Sequence, residues 1–181
     1  MRDNPTRPGD RLVHTGRRVL VLLMTAYGLL ILRTPETFRL IDNVDLAIHE
    51  TGHLLFAPFG EFMIVLGGSL FQLIMPALFV GAFWRRGDRF AAYVTMWWVA
   101  QSSWNLARYI GDAQAQELPL VGGGEHDWAY LLGSLGWLSK DALIAGAVRS
   151  AGVLAFILGM LGAWVAASNR QALVRQQQRG S

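Results

Sequence analysis

The chain has 181 residues, 52% of them hydrophobic and only 16% charged, where a soluble domain carries about 25% charged residues. It has no cysteine, which excludes disulfides and thiolate metal ligands, so a metal here must be held by His, Asp or Glu. The net charge of +3 does not point to nucleic acid, because the basic residues cluster at the chain ends and in one short loop, as they do on membrane flanks.

Residues 1–17 read as a basic cytoplasmic arm carrying Arg2, Arg7, Arg11 and Arg17. An apolar stretch from Val19 to Leu32 follows, and we read 18–33 as a first membrane span. It is followed by Arg33-Thr34-Pro35-Glu36 and not by a small-residue cleavage site, so a retained span is expected rather than a cleaved signal peptide. The stretch 40–59 is also apolar but holds Asp42, Asp45, His49, Glu50 and His53. Such a segment is costly against lipid, and an interfacial or re-entrant helix shielded by other spans is expected. Further spans are expected at 62–84, 89–111 and 143–167, each near the roughly 20 apolar residues that a bilayer requires. Residues 169–181 form a basic cytoplasmic tail, and both chain ends (1–12 and 171–181) are expected to be disordered. The fold class is therefore all-α: a polytopic membrane helical bundle of about four spans plus the 40–59 helix, with 18–168 as one membrane domain.

Arginine placement orients this bundle. If 40–59 does not cross, the N-terminal arm, the loop Arg85-Arg86-Gly87-Asp88-Arg89 and the tail all fall on the cytoplasmic side. Residues 34–61 and 112–140 then share the outer face.

That face carries the chemistry. His49-Glu50-Thr51-Gly52-His53 places two imidazoles at i and i+4, on one face of a helix, where they can share a zinc ion. Typical residue frequencies put a chance match at about one in a hundred for a chain of this size. Glu50 lies about 100° further round, placed to act on a water as general base. Catalytic zinc takes a third protein ligand and keeps one position open. His126, in Gly122-Gly123-Gly124-Glu125-His126-Asp127-Trp128, is the favoured third ligand, with Asp112 and Asp127 as the alternatives. Asp45, four residues before His49, is a candidate to orient that histidine or to act as simple helix N-terminal charge. Asn105, Tyr109 and Asp112 share one face of a span, and Gln72 needs a buried partner, so Asn105 and Gln72 are candidates for supporting the site or the substrate. Gly52, Gly67 and Gly68 allow close backbone approach, and Pro76 would bend its helix.

These residues resemble the site-2 protease family of intramembrane zinc metalloproteases. The resemblance rests on the His49-Glu50-x-x-His53 motif within a compact set of spans. That family draws its third ligand from an Asn-x-x-Pro-x(4)-Asp-Gly segment. Here Asn105 and Asp112 are seven apart, position 108 is not proline, and Ala113 stands where glycine would. The chain as a whole is similar to a set of uncharacterised bacterial membrane proteins that combine His-Glu-x-Gly-His, a Gly-Gly…Gln…Pro span and a Gly-rich His-Asp-Trp element. The resemblance implies a zinc metalloprotease of a bacterial inner membrane. Such an enzyme cleaves a membrane protein or peptide near the outer face and binds no nucleic acid. A zinc-dependent lipid hydrolase and a non-catalytic metal-binding membrane protein are the alternative expectations.

Overall fold

The computed structural model describes residues 8–120 and 124–168. The expectations for residues 1–7, for Gly122 and Gly123, and for the basic tail lie outside the described residues, whereas 8–17, read as an arm and disordered as far as residue 12, are the first turns of α1.

The described residues form six α-helices and no strand. They are α1 (Pro8–Arg33), α2 (Leu40–Phe56), α3 (Glu61–Arg85), α4 (Arg89–Gly111), α5 (Asp127–Ser134) and α6 (Asp141–Ser168). A short 3-10 turn, Ala57–Phe59, and Gly60 join α2 to α3. Gly60 has φ of 91°, a left-handed conformation that glycine adopts without steric cost. Three helices are long and apolar enough to cross a membrane: Arg11–Arg33, Glu61–Arg85 and Leu138–Ser168. The expected fourth, α4, has 23 residues but also Gln101, Ser102, Ser103, Asn105 and Arg108. It can carry them because it is the central helix. Trp97 and Trp104 pack with Val21 and Ile31 of α1 and with Phe156, Met160 and Ala163 of α6. Gln101, Ser102 and Asn105 turn towards α2 and α3, where they bond to Asp42, Asp45 and Gln72, while Ser103 bonds back to Val99 O beside α6. The α4–α6 approach is close: a Cβ on Gly152 would meet the Trp104 ring at 2.7 Å, and one on Gly159 would meet Tyr93 O at 3.0 Å.

Long-range pairings fix which helix ends lie together. Arg17 lies over the Phe90 ring, Trp97 Nε1 donates to Met24 O and Glu36 pairs with Arg108, so α1 and α4 run side by side in the same direction. Gln72 Nε2 donates to Asn105 Oδ1 across the α3–α4 hairpin. Ala145, at the start of α6, packs with Ile110, at the end of α4. Arg108 pairs with Glu36, just before α2, while His53 near the end of α2 contacts the carbonyl of Ile64 near the start of α3. One end of the bundle therefore gathers the end of α1, both approaches to α2, the start of α3, the end of α4 and the start of α6. At its start α2 is tied to α4 through Asp42 at Gln101, and one turn on through Asp45 at Trp98 and Ser102.

The outer surface is apolar where a water-soluble helix would be polar. Leu22, Leu23, Leu78, Leu154, Leu158 and Val165 are all exposed. Patches of that kind mark contact with lipid or with other apolar partners.

Candidate metal centre

The buried stripe of α2 is polar: Asp42, Asp45, His49 and Gly52, at helical spacing, face the protein. Asp42 caps its own helix, its Oδ2 accepting the Arg39 N–H at 2.6 Å. The stripe ends at the histidine pair, where α2 lies almost in backbone contact with α3. A Cβ on Gly52 would stand 2.3 Å from Gly67 O.

Each imidazole is oriented by one hydrogen bond. His49 Nδ1 donates to Gln72 Oε1 at 3.2 Å, and His53 Nδ1 donates to Ile64 O at 2.8 Å. The direction follows from the partners. A carbonyl oxygen only accepts, and the Gln72 amide is held oxygen-first because its Nε2 donates to Asn105 Oδ1 at 3.0 Å and to Ser102 O at 3.4 Å. With Nδ1 protonated, Nε2 of each ring presents a lone pair, the arrangement that orients a metal-ligating histidine. Both Nε2 atoms point at one carboxylate oxygen: Asp127 Oδ2 lies 2.8 Å from His49 Nε2 and 3.4 Å from His53 Nε2. His49, His53 and Asp127 thus offer three ligand atoms within 4.8 Å of one another, a group that can hold a metal ion.

Three acceptor atoms this close repel one another unless a positive charge sits among them. Protons supply that charge in the absence of a metal. A hydrogen bond to Asp127 pushes the His53 imidazole up to about 9. Burial works to raise the Asp127 carboxyl, but hydrogen bonds from His49 and His53 outweigh it and hold it below the usual carboxylate range. The space itself is also kept clear. A Cβ on Gly68 would sit 2.6 Å from His49 Nε2 and 2.7 Å from His53 Nε2, between the two ligand atoms.

The group opens into a cavity of about 610 Å³. Glu50, exposed on α2, lines it beside the histidines. Phe38, Leu46, Val65, Leu118 and Leu120 supply apolar wall, and Asn105, Arg108 and Tyr109 line the α4 side.

Two sequence expectations are corrected here. The residue beside His49 and His53 is Asp127, not His126. His126 is the N-cap of α5, with Nδ1 accepting the Ala129 N–H at 3.3 Å, and this turns its ring into the interior, against Tyr109. Asp127, one position on, faces α2. Asp112, the other alternative, spends its carboxylate on the backbone N–H groups of Glu117 and Leu118, each at 3.0 Å. The second correction concerns Asp45, which does not touch His49. Its Oδ1 accepts from Ser102 Oγ at 2.9 Å and Trp98 Nε1 at 3.3 Å, tying α2 to α4. Burial pushes its carboxyl up to about 6. The orienting contact to His49 comes from Gln72, with Asn105 behind it. The sequence did not single out Tyr109 as part of the site, although its place on the polar face of α4 was visible.

Comparison of the chain with protein families, with curated proteins and with solved structures gives no match in any of the three.

Proposed function

We propose that the protein is a membrane-embedded zinc metallopeptidase that hydrolyses a peptide bond of a membrane-associated protein or peptide. The observation that carries this reading is the convergence of His49 Nε2, His53 Nε2 and Asp127 Oδ2 in a cavity that also holds Glu50. Two histidines and a carboxylate suit zinc, and three protein ligands leave a position open for chemistry. The resemblance of the His-Glu-x-x-His segment to intramembrane metalloproteases supports a peptide substrate over other carbonyl compounds.

His49, His53 and Asp127 would hold the zinc. Bound there, the ion would supply a water acidic enough to ionise near neutral pH and an electrophile for the substrate carbonyl. Glu50 takes the proton of the attacking water and returns it to the leaving nitrogen. Gln72 and the Ile64 carbonyl keep each Nε2 aimed inward throughout. The apolar wall at Phe38, Leu46 and Val65 receives substrate side chains and excludes bulk water from the carboxylate.

Arrangement in the membrane follows the same reading. The central helix α4 is the fourth span, its polar face shielded by α2 and α3. The α2 segment is re-entrant: both its approaches lie at the end of the bundle that carries Glu36, Glu61, Asp112 and Glu117. The opposite end carries Arg11, Arg17, Arg18, Arg85, Arg86 and Arg89, and this charge supports our reading of it as the cytoplasmic side of a bacterial inner membrane.

The decisive test is Glu50→Gln in the full-length protein in detergent or liposomes. Zinc content should match that of the wild type while peptide hydrolysis falls about 10²- to 10⁴-fold. A fully active Glu50→Gln protein would rule the mechanism out. Turnover of a lipid ester by the wild type alone would keep the centre and change the substrate class.

A further inference from the structure

The two residues that rivalled Asp127 in the sequence meet each other. His126 Nε2 lies 3.3 Å from Asp112 Oδ2, and the His126 side chain is fully buried. Because Nδ1 of His126 accepts the Ala129 N–H, the ring proton sits on Nε2, where the Asp112 carboxylate is a charge neighbour and not a hydrogen-bond acceptor. On its other side the ring packs on Tyr109, with centroids 4.3 Å apart. The Tyr109 hydroxyl accepts the backbone N–H of Asp127 at 3.1 Å. Asp112 is itself fixed by the N–H groups of Glu117 and Leu118. The end of α4 therefore grips both the loop that leaves it and the residue that opens α5. A separate hydrogen bond, Trp128 Nε1 to Ser69 Oγ at 3.0 Å, ties the next residue to α3 beside Gly68.

Asp127 has a demanding task. One of its oxygens must meet two imidazoles carried on another helix, 78 residues away from His49 in the chain. A carboxylate on an unsupported loop would spread over many positions, and ordering it would subtract from metal affinity. We propose that Asp112, His126 and Tyr109 form a clasp that positions Asp127 as the third ligand, and that none of the three binds the metal. The clasp rests on the reading of His49, His53 and Asp127 as the ligand set. It assigns Asp112 and His126 a positioning role through Asp127.

Zinc affinity of the full-length protein in detergent, measured by competition with a chromophoric chelator, tests the clasp without any substrate. Thermal unfolding of the zinc-free protein is followed in parallel. His126→Asn keeps an acceptor for the Ala129 N–H, since asparagine is a good N-cap, and removes both the Asp112 contact and the Tyr109 stack. Its zinc affinity should fall about 10- to 100-fold, the usual effect of losing a partner that orients a ligand. Zinc content at saturation should stay at the wild-type value; some zinc-free stability is lost because a smaller side chain fills a buried position, but a merely structural role would lower stability without lowering the zinc affinity of the folded protein. Asp112→Asn should act in the same direction, and the double variant should be little worse than the weaker single, as for residues in one unit.

Unchanged affinity in both single variants, or effects that simply add, would overturn the clasp. Complete loss of zinc at saturation in His126→Asn would also overturn it, by making His126 a ligand. Asp127→Ala separates the two layers. If it loses zinc while His126→Asn does not, only the clasp is wrong. If it binds zinc as the wild type does, the ligand assignment fails and the clasp with it.

Discussion

At the scale of single residues, the centre depends on one position having no side chain. The atoms that a Gly68 Cβ would meet are the ends of two imidazoles, which can swing aside without moving backbone. Gly68→Ala should therefore leave helix content and thermal stability near wild type while zinc content drops to near zero. A Gly68→Ala protein that still binds equimolar zinc would show that the metal lies elsewhere. The local part of this chemistry was legible in the sequence. Spacing at i and i+4 puts His49 and His53 on one face whatever surrounds them, and Gln72 stood out as an amide in an apolar helix. The choice between His126 and Asp127 was not legible. It turns on one helix N-cap: when His126 caps α5, its neighbour must face the other way, towards α2. No periodicity encodes that, because the described residues between α4 and α5, 113–120 and 124–126, hold no helix. Asp45 misled for a related reason. Four residues from His49 on one helix suggests contact, yet its carboxylate is drawn to Ser102 and Trp98 on α4 instead.

At the scale of elements, α2 reverses the usual amphipathic order. Its buried stripe is Asp42, Asp45, His49 and Gly52, while Leu40, Leu54 and Leu55 are exposed. A helix on a water-soluble domain buries its apolar stripe and exposes its polar one. The reversed pattern fits a helix whose outer face meets lipid and whose inner face meets a polar site. This is why 40–59 read from sequence as both apolar and unsuited to lipid. The contact of α2 with α3 leaves no room for a side chain at Gly52, where the neighbour is the Gly67 carbonyl, which cannot rotate away. Gly52→Ala must push the two helices apart. We expect a loss of about 1–3 kcal/mol, the range for an overpacked site, with zinc binding weakened because His49 and His53 move with α2. Thermal unfolding set beside zinc content checks this. Equal stability of Gly52→Ala and wild type would mean that the helices are not held at that distance. Gly52→Ala and Gly68→Ala thus separate fold from site: the first acts on both, the second on the site alone.

At the scale of the whole molecule, charge and depth agree. The end of the bundle that holds the metal group is rich in acidic residues, and the opposite end is rich in arginine. The places of α1 to α4 and α6 were legible because long apolar runs separated by charged turns leave few alternatives, while the eight-residue α5 was not counted among them. Residues 89–111 were expected to span on length, yet α4 is less apolar than the three helices able to cross a membrane, and its packing against α1, α3 and α6 is a position that sequence does not reveal. The chain has no cysteine, so single cysteines can report topology without background. Glu61→Cys and Glu117→Cys should react with a membrane-impermeant maleimide added outside intact cells, and Gly87→Cys only after the membrane is opened. Labelling of Gly87→Cys from outside would invert the assigned orientation. Protection of Glu61→Cys together with labelling of Glu117→Cys would mean that α2 crosses the bilayer.

The central claim is a zinc ion held by His49, His53 and Asp127. X-ray absorption at the zinc edge, on purified full-length protein, tests it most directly. The wild type should show two imidazole nitrogens and carboxylate oxygen at about 2.0–2.2 Å. His126→Asn should give the same coordination shell, and Asp127→Ala should lose the bound zinc. A shell with three imidazoles in the wild type, or one that Asp127→Ala leaves unchanged, would contradict the account.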